Sequence, residues 1–374
     1  MKIGLVLENF DPTRGGLENW TWQFARRLLS LGHEAHIVAF DAYDGAEKEG
    51  AVLHLLEKRK SRLERASALA AKLPAMGFDV VHDMGIGWAA DIIQPHAGST
   101  IALWEQNLLR IPKWRQIRFW REKRYREQEE IERRQHANER ALIVTVSEML
   151  AREFQSLHHL APSRIRVIAN GVYPQKFTPL DREKYRAETR RHLGVGDEVL
   201  FLGLAHNLLQ KNAEATIRAA AKLAASGVAL RVVIGGGKRP QRFLKLAKKL
   251  GISHLVTFLG VIDPIPCYAA ADVFVHPTWY DPCSLVTLEA SSCGLPVITS
   301  RCNGAAEFMT DGVEGFVLDD PADVAALAAR MKRLLEPAER EKMGAAGRAL
   351  ALRHTFDQQT ARFVDLYEEI VSRR

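Results

Sequence analysis

Short apolar segments of β type alternate with helical periodicity along the whole 374-residue chain, and this alternation limits the fold more than any other feature. A chain that repeats strand and helix in this way is typical of parallel α/β sheets. In the first half, the predicted strands are 3–7, 35–39, 80–82, 92–94, 142–146 and 166–168. In the second half, they are 198–203, 230–235, 256–258, 273–276, 297–299 and 315–318. The sequence therefore predicts two α/β units.

Length and turn signals predict where the two units separate. A chain of 374 residues is long enough for two hydrophobic cores. Asn170-Gly171 is a turn signal after a strand, and the charged segment 179–191 then leads into a new α/β unit. We therefore predict one domain at 1–170 and a second at 171–355, followed by an amphipathic helix at 356–374.

The cysteines and the N-terminus point to an intracellular protein. The four cysteines show no C-x2-C spacing and all lie in the second half, which favours reduced thiols over a disulfide framework or a zinc site. The apolar start at 1–7 is ended by Glu8 and is too short for the core of a signal peptide. We expect a cytoplasmic protein without a metal site.

The formal net charge of +7 favours an anionic partner. Basic residues are concentrated in the segment 110–126, which has eight Lys or Arg residues against one Glu. Its apolar residues Ile111, Trp114, Ile117 and Trp120 recur every three positions. This pattern predicts a helix that lies on an anionic membrane surface. An exposed charged helix packed on its own domain and a nucleic-acid-binding surface are the alternatives.

Two carboxylates, Asp281 and Glu289, stand eight positions apart in the most informative motif. Asp281 lies in a polar loop after the strand 273–276, and Glu289 lies in a predicted helix that begins near Ser284. At the carboxyl end of a parallel sheet, the N–H groups of a first helical turn attract phosphate, and carboxylates hold sugar hydroxyls. The motif therefore favours a nucleotide-diphosphate sugar as ligand.

Three further loops carry candidate ligand-binding residues. Gly15 and Gly16 follow the first strand and allow close approach of the backbone to a ligand, but they do not form a dinucleotide-binding G-x-G-x-x-G. His96 follows the apolar segment 92–94. Lys211 follows the strand that opens the second domain, where an ammonium group would stabilise a leaving diphosphate.

These motifs resemble those of the retaining nucleotide-sugar glycosyltransferases of family 4, which have the GT-B fold. The segment DPCSLVTLEASSCGLPVIT resembles the family's E-x7-E motif, with Asp281 in place of the usual Glu. The loop that begins at Gly15 resembles its GG-x-E loop, and the loop with His96 resembles its first-domain histidine loop. Within the family, the chain looks most like lipopolysaccharide-core heptose glucosyltransferases.

The resemblance implies two Rossmann-like domains that face a central cleft, with the last helix crossing back to the N-terminal domain. It also implies that the N-terminal domain binds the acceptor and the C-terminal domain binds the nucleotide sugar. In that arrangement Asp281 and His96 hold the donor sugar, and Glu289 holds the ribose. Val261, after a strand whose backbone reads the base in this family, is the candidate nucleobase contact.

The resemblance further places Lys211 at the diphosphate, together with backbone amides of Gly16, Ser284 and Leu285. It implies retaining chemistry without a covalent enzymic nucleophile and without a metal ion. One departure from the family matters here: the Arg that commonly lies a few residues before this lysine is missing, and Leu209 and Gln210 stand directly before it. Lys238 is a candidate replacement.

We therefore expect a retaining hexosyltransferase in the cytoplasm, bound peripherally to the inner face of the cytoplasmic membrane through 110–126. It would move a hexose from a UDP- or GDP-sugar to a cell-envelope glycolipid or oligosaccharide, such as lipopolysaccharide core, without a nucleic-acid partner. A nucleotide-sugar epimerase or sugar phosphorylase of the same architecture is one alternative. A catalytically impaired protein that binds nucleotide or membrane is another, motivated by the missing Arg.

Overall fold

The computed structural model describes residues 1–108, 113, 120, 122–237 and 239–374, and the chain forms two compact units. The first unit comprises Met1–Ile168 and Thr360–Arg374, and the second comprises Ala169–Gln359. Each unit contains one large parallel sheet and its covering helices. The predicted α/β class is therefore confirmed. Most of the basic segment 110–126, and Lys238, lie outside the described residues.

The first part of the chain builds the first unit. In chain order its elements are β1 (Lys2–Val6), β2 (Asn9–Phe10), α1 (Gly16–Ser30), β3 (Glu34–Ala39), β4 (Asp41–Ala42), β5 (Val52–Leu55), α2 (Arg62–Lys72), β6 (Val80–Asp83), β7 (Ile92–Ile93), α3 (Thr100–Leu108), α4 (Lys123–Ala137), β8 (Leu142–Thr145), α5 (Glu148–His158) and β9 (Ile165–Val167). Short 3-10 helices lie at Ala46–Glu49, Leu73–Met76 and Pro162–Arg164.

The second part of the chain builds the second unit and ends in a long helix. Its elements are α6 (Asp181–His192), β10 (Val199–Leu204), α7 (Ala213–Ala224), β11 (Leu230–Gly235), α8 (Gln241–Lys249), β12 (Val256–Gly260), α9 (Pro264–Ala270), β13 (Val273–His276), α10 (Leu285–Ser292), β14 (Val297–Ser300), β15 (Gly315–Leu318), α11 (Val324–Arg333), α12 (Pro337–Leu352) and α13 (Phe356–Ser372). Short 3-10 helices lie at Ser253–Leu255 and Gly304–Phe308.

The sheet of the first unit has the strand order β5-β3-β1-β6-β7-β8-β9, and its strand pairs are parallel. Strand β1 lies between β3 and β6, with Ile3 opposite both Ala35 and Val80. Successive strands are added on one side of β1 and then on the other. The loops that follow β1 and β6 therefore diverge at a topological switch point, where open α/β sheets bind ligands.

Aromatic side chains join the last helix to the core of the first unit. Trp20 and Phe24 of α1 stack with ring centroids 4.7 Å apart. Phe363 of α13 packs edge-on against both rings, at 5.7 and 5.2 Å. The hydroxyl of Tyr367, also in α13, lies 2.6 Å from Nδ1 of the buried His82 in β6. The predicted amphipathic helix thus buries its apolar face in this unit from Thr360 onward.

The sheet of the second unit has the order β12-β11-β10-β13-β14-β15, and its strand pairs are also parallel. Strand β10 lies between β11 and β13, with Phe201 opposite both Val232 and Val273. The switch point of this sheet therefore lies between the loops that follow β10 and β13.

The sequence did not predict strand β5, which forms the edge of the first sheet. His54 interrupts the apolar residues of this short strand, and Val52 and Leu55 are exposed, as an edge strand allows. It also did not predict the short pair β2 and β4. Within the described residues, no helix is both long and apolar enough to cross a membrane.

Candidate functional site

The loops after β10 and β13 meet at the switch point of the second sheet through an ion pair. Nζ of Lys211 lies 2.7 Å from Oδ2 of Asp281, and it also donates to the carbonyl oxygen of Tyr280 at 3.1 Å. The side chains of the two charged residues are only 18% and 13% exposed. The topology of the sheet therefore brings together two of the residues that the sequence singled out.

His276, the last residue of β13, is the third member of this cluster. Its Nε2 lies 3.2 Å from Oδ2 of Asp281, in the geometry of a donor. Burial raises the pKa of Asp281, but the hydrogen bond from His276 and the positive charge of Lys211 outweigh burial, and the pKa falls to about 2. Burial lowers the pKa of His276. At neutral pH the cluster is therefore a carboxylate held by one cation and one neutral imidazole.

Only one oxygen of the Asp281 carboxylate is used by these contacts. Both Lys211 and His276 bind Oδ2. Within the described parts of the chain, Oδ1 has no hydrogen-bond donor. An ionised carboxylate with a free oxygen can accept a hydrogen bond from a ligand hydroxyl.

Asn303 fixes the loop that carries Asp281 to the helix α10. This fully buried side chain makes four hydrogen bonds, all of 3.0 or 3.1 Å. Its Oδ1 accepts from the backbone N–H groups of Ser284 and Ala305, and its Nδ2 donates to the hydroxyls of Thr287 and Thr299. All four polar positions of the amide are thus used, which holds the loop in one conformation.

The N-terminus of α10 offers open donors next to this loop. Ser284 is the N-cap, and its Oγ accepts from the backbone N–H of Thr287. The N–H of Ser284 itself donates to Asn303, so this predicted phosphate contact already has a partner. Among the described residues, the N–H groups of Leu285 and Val286 have no acceptor. These two groups and the helix dipole form the anion-attracting end of α10.

Glu289 lies one turn further into α10 and is hydrogen-bonded to a tyrosine. The hydroxyl of the buried Tyr268, in α9, donates to Oε2 of Glu289 at 2.8 Å. Burial raises the pKa of Glu289 to about 7, although the Tyr268 hydrogen bond and the charge of Lys176 act in the opposite direction. This carboxyl group is therefore near the midpoint of its titration at neutral pH.

The loops after β11 and β12 form the other side of the same sheet edge. Gly236 has φ +82, and a Cβ at this position would lie 2.5 Å from the carbonyl oxygen of Ala205. Only glycine therefore allows this close packing of two backbones. Val261 follows β12 directly, and its side chain is 76% exposed. It is a free apolar surface at the carboxyl end of the sheet.

The remaining predicted residues belong to the first unit. Gly15 is the N-cap of α1 with an extended backbone, and Gly16 is the first residue of that helix. His96 lies between β7 and α3, and its ring packs edge-on against Trp20 at 4.7 Å. Burial lowers the pKa of His96 to about 3, so its ring is neutral. Its Nε2 is buried without a partner in the described structure, which leaves a polar atom for a ligand.

The structure thus divides the predicted residues between the units and adds three more. Gly15, Gly16 and His96 belong to the first unit, and Lys211, Val261, Asp281, Ser284, Leu285 and Glu289 belong to the second. His276, Asn303 and Tyr268 were not predicted as site residues. The sequence could have identified His276 and Asn303 as site residues, because each is a polar residue at or just after the carboxyl end of a strand. No sequence pattern could have identified Tyr268, since only folding brings α9 against α10.

Within the described residues, no group of three or more His, Cys, Asp or Glu side chains is arranged to hold a metal ion. Cys283, beside Asp281, is buried, and burial raises the pKa of its thiol to about 12. It is therefore a protonated packing residue and not a thiolate.

Two family models match almost consecutive parts of the chain. Residues 14–176 match the model described as Glycosyltransferase Family 4, and residues 185–350 match Glycosyl transferases group 1. The first match contains Gly15, Gly16 and His96. The second contains the cluster around Lys211 and Asp281.

Curated relatives carry the name D-inositol 3-phosphate glycosyltransferase. The protein of Acidothermus cellulolyticus is 32% identical over 248 residues, which are 62% of this chain and 54% of the relative. The protein of Thermobifida fusca is 36% identical over 210 residues, which are 50% of this chain and 45% of the relative. The chain thus spans about half the length of the curated relatives it matches.

Solved structures share the fold over nearly the full chain. WaaG, a glycosyltransferase involved in lipopolysaccharide biosynthesis, has a TM-score of 0.80 at 22% identity and covers 98% of this chain and 99% of its own. The HepE protein of Anabaena, solved with UDP-glucose, has a TM-score of 0.75 at 21% identity, with 99% and 100% covered. These neighbours confirm the two-domain GT-B architecture. The chain therefore belongs to the glycosyltransferases of the GT-B type, with a Family 4 domain followed by a group 1 domain.

Proposed function

We propose that the chain transfers a hexose from a nucleotide-diphosphate sugar to a hydroxyl group of an acceptor. The observation that carries this proposal is the cluster of Lys211, Asp281 and His276 at the switch point of the second sheet. It combines a cation for a diphosphate with a carboxylate whose second oxygen is free for a sugar hydroxyl. The open N–H groups of α10 add donors for phosphate oxygens.

Each side chain of the second unit has a distinct role in this proposal. Lys211 and the N–H groups of Leu285 and Val286 bind the diphosphate. Oδ1 of Asp281 accepts a hydrogen bond from the donor sugar. Glu289 accepts hydrogen bonds from the ribose hydroxyls, and Val261 contacts the base. Lys211 would then lie between two anions, and its positive charge would offset the repulsion between the Asp281 carboxylate and the diphosphate.

The proposed reaction retains the configuration of the donor sugar. The bond between the anomeric carbon and the diphosphate oxygen breaks, and the acceptor oxygen attacks from the same face. The departing diphosphate oxygen takes the acceptor's proton, so the reaction uses no enzymic nucleophile and no metal ion. Lys211 stabilises the charge that develops on the leaving group. In the first unit, Gly15, Gly16 and the unpartnered Nε2 of His96 are the proposed contacts to the donor.

UDP-sugars are the first donors to test, because HepE has been solved with UDP and with UDP-glucose. For the acceptor, the relatives' name points to a phosphorylated polyol, and the likeness to WaaG points to a cell-envelope glycolipid. The basic segment 110–126 supports the second class, because several Lys and Arg residues near an anionic surface each contribute about 1 kcal/mol to binding. We accordingly place the enzyme at the inner face of the cytoplasmic membrane.

The test is the release of UDP or GDP from a panel of nucleotide sugars, measured with the wild type, Glu289→Gln and Glu188→Gln. Glu188 is an exposed residue of α6 without an assigned role, so its substitution controls for the loss of one carboxylate. We expect release from one donor, at least a tenfold loss in Glu289→Gln, and no change in Glu188→Gln.

Other results would overturn the proposal in specific ways. If the chain binds nucleotide sugars but releases no UDP or GDP, even with a membrane glycolipid extract present, it is a catalytically impaired binding protein. The sequence gives a reason to consider that outcome, because the Arg that the family commonly has a few residues before this lysine, Lys211, is missing. Turnover of the donor to an isomeric nucleotide sugar, with no new glycosidic linkage, would indicate an epimerase.

A further inference from the structure

A small pocket lies at the switch point of the first sheet, separate from the residues discussed so far. Its volume is about 170 Å³. Glu8 lines it from the loop after β1, and Met84 to Ile86 line it from the loop after β6. Helix α2 contributes Arg62 and Arg65. The pocket therefore occupies the place where the chain topology of the first unit favours a ligand, and it contains two guanidinium groups.

A buried hydrogen-bond network holds Arg62 in place. Nη1 of Arg62 donates to Oε1 of Gln128 at 2.9 Å, and Nε2 of Gln128 donates to Oε1 of Glu132 at 3.1 Å. The other oxygen of Glu132 accepts from the hydroxyl of Ser99 at 2.7 Å. Gln128, Glu132 and Ser99 are all at least 95% buried, whereas Arg62 is exposed. One nitrogen of the guanidinium is thus anchored, which leaves its other donors oriented for a ligand.

Arg65, one turn further along α2, is held differently. Its Nη1 lies 3.4 Å from Oε1 of Glu8, and its side chain is 22% exposed. Glu8 brings one negative charge into the pocket against two positive charges. A carboxylate in this position suits a ligand that also carries hydroxyl groups, because it accepts their hydrogen bonds.

We propose that the pocket formed by Arg62, Arg65, Glu8 and Gln128 binds a phosphate monoester on a polyhydroxylated acceptor. The two guanidinium groups match phosphate oxygens, for which arginine forks are well suited. The Glu8 carboxylate and the Thr100 hydroxyl, which also lines the pocket, provide partners for hydroxyl groups. The volume is below the roughly 300 Å³ of a pocket for a whole ligand. It fits a phosphorylated head group and not an entire glycolipid.

The basic residues just before α2 lie outside the pocket. Lys58 and Arg59 are paired with Asp41 and Glu57, and neither Arg59 nor Lys60 lines the pocket. The proposal rests on the proposed function in one respect. Because the second unit carries the candidate nucleotide-sugar site, the pocket of the first unit is assigned to the acceptor.

The experiment measures binding and does not require turnover. The full chain is titrated by calorimetry with inositol monophosphate, with unphosphorylated inositol and with inorganic phosphate. Saturating UDP is present to occupy any phosphate site of the second unit. Vesicles that contain a phosphorylated glycolipid form a second arm, which separates a head group on a membrane from a free polyol phosphate. The variants are Arg62→Gln/Arg65→Gln and, as matched control, Arg59→Gln/Lys60→Gln.

The control removes two positive charges just before α2, and neither residue lines the pocket. Arg59 is exposed and paired with Glu57. We expect the phosphorylated ligand to bind at least tenfold more tightly than its unphosphorylated counterpart. We also expect at least a tenfold loss in the double variant of the pocket and less than a threefold loss in the control. Equal losses in both variants, equal affinity for both polyols, or no binding in either arm would overturn the assignment.

This result is independent of whether the chain is an active transferase. Phosphate binding that depends on Arg62 and Arg65 but no release of nucleotide would keep the pocket and reject the proposed function. Nucleotide release without binding of the phosphorylated ligand would support the proposed function and reject the phosphate-binding role of the pocket.

Discussion

Nζ of Lys211 and Oδ2 of Asp281 lie 2.7 Å apart although 70 residues separate them in the chain. They meet because β10 and β13 are neighbours in the sheet, and the loops that follow these strands leave the switch point side by side. Both side chains are largely buried. The pair is therefore a structural contact of the second unit as well as the centre of its candidate site.

Lys211→Met keeps most of the side-chain length and removes the charge, which leaves the buried Asp281 carboxylate with His276 alone. We expect the second unit to lose about 3 kcal/mol of stability, the usual result when one partner of a buried ion pair is removed. We also expect at least a tenfold loss of nucleotide-sugar affinity. Hydrogen exchange of peptides from the second unit and calorimetry on the full chain measure the two effects.

The double variant Lys211→Met/Asp281→Asn separates the two roles of the pair. Stability should partly recover, because no unpaired charge remains buried, whereas affinity should stay low. The single variants Lys211→Met and Asp281→Asn are measured alongside the double variant. If the stability loss of the double variant equals the sum of the two single losses, the ion pair does not couple the residues, and the structural role assigned to it is wrong.

Asn303→Ala should weaken both the loop and the site. The substitution leaves the buried N–H groups of Ser284 and Ala305 without an acceptor. We expect a loss of about 3 kcal/mol, since each unsatisfied buried polar group costs about 1 to 3 kcal/mol. Thr287→Val removes only one of the four contacts and should cost less. Unchanged donor affinity in Asn303→Ala would show that the loop is held by other contacts.

The sequence predicted the architecture well because parallel strands that are buried on both faces leave a strong apolar signal. Strands β10, β13 and β14 are central strands of this type, and all three were predicted. The edge strand β5 was not predicted, because it is short, His54 interrupts its apolar residues, and its pairing with β3 depends on the rest of the sheet.

Within the site, sequence reasoning identified residue types but not their mutual contacts. It assigned Lys211 and Asp281 to different parts of a ligand, whereas the folded protein pairs them. It assigned the N–H of Ser284 to phosphate, whereas Asn303 accepts from it. Both differences arise from contacts between elements distant in sequence, which no local pattern encodes. The raised pKa of Glu289 is of the same kind, because it depends on burial by neighbouring elements.

Two glycines of α12 provide a test of how the helix α10 is supported. A Cβ at Gly344 would lie 2.2 Å from the carbonyl oxygen of Gly294, which follows α10, whereas the nearest atom to a Cβ at Gly347 is 3.6 Å away. We expect Gly344→Ala to destabilise the second unit by about 2 kcal/mol or more, as overpacking does. Gly347→Ala should be neutral or stabilise the helix by up to about 1 kcal/mol. Equal effects on urea unfolding would contradict the close contact.

Glu289 should make the stability of the second unit depend on pH in a defined window. Its pKa in the folded protein is raised to about 7 from the ordinary value of 4.5, so the unfolded chain loses this proton more readily than the folded one. The stabilisation is fully present below about pH 4.5 and is lost as the pH rises through about 7. Between these values the slope approaches at most about 1.4 kcal/mol per pH unit.

Glu289→Gln should remove this slope between pH 4.5 and 7, because glutamine does not titrate. Tyr268→Phe deletes the hydrogen bond that lowers the pKa of Glu289, so it should move the upper end of the window to higher pH. Hydrogen exchange of peptides from α10, recorded across this range, measures both shifts. A wild-type slope that persists unchanged in Glu289→Gln would mean that another group titrates, and Tyr268→Phe would then leave the window where it is.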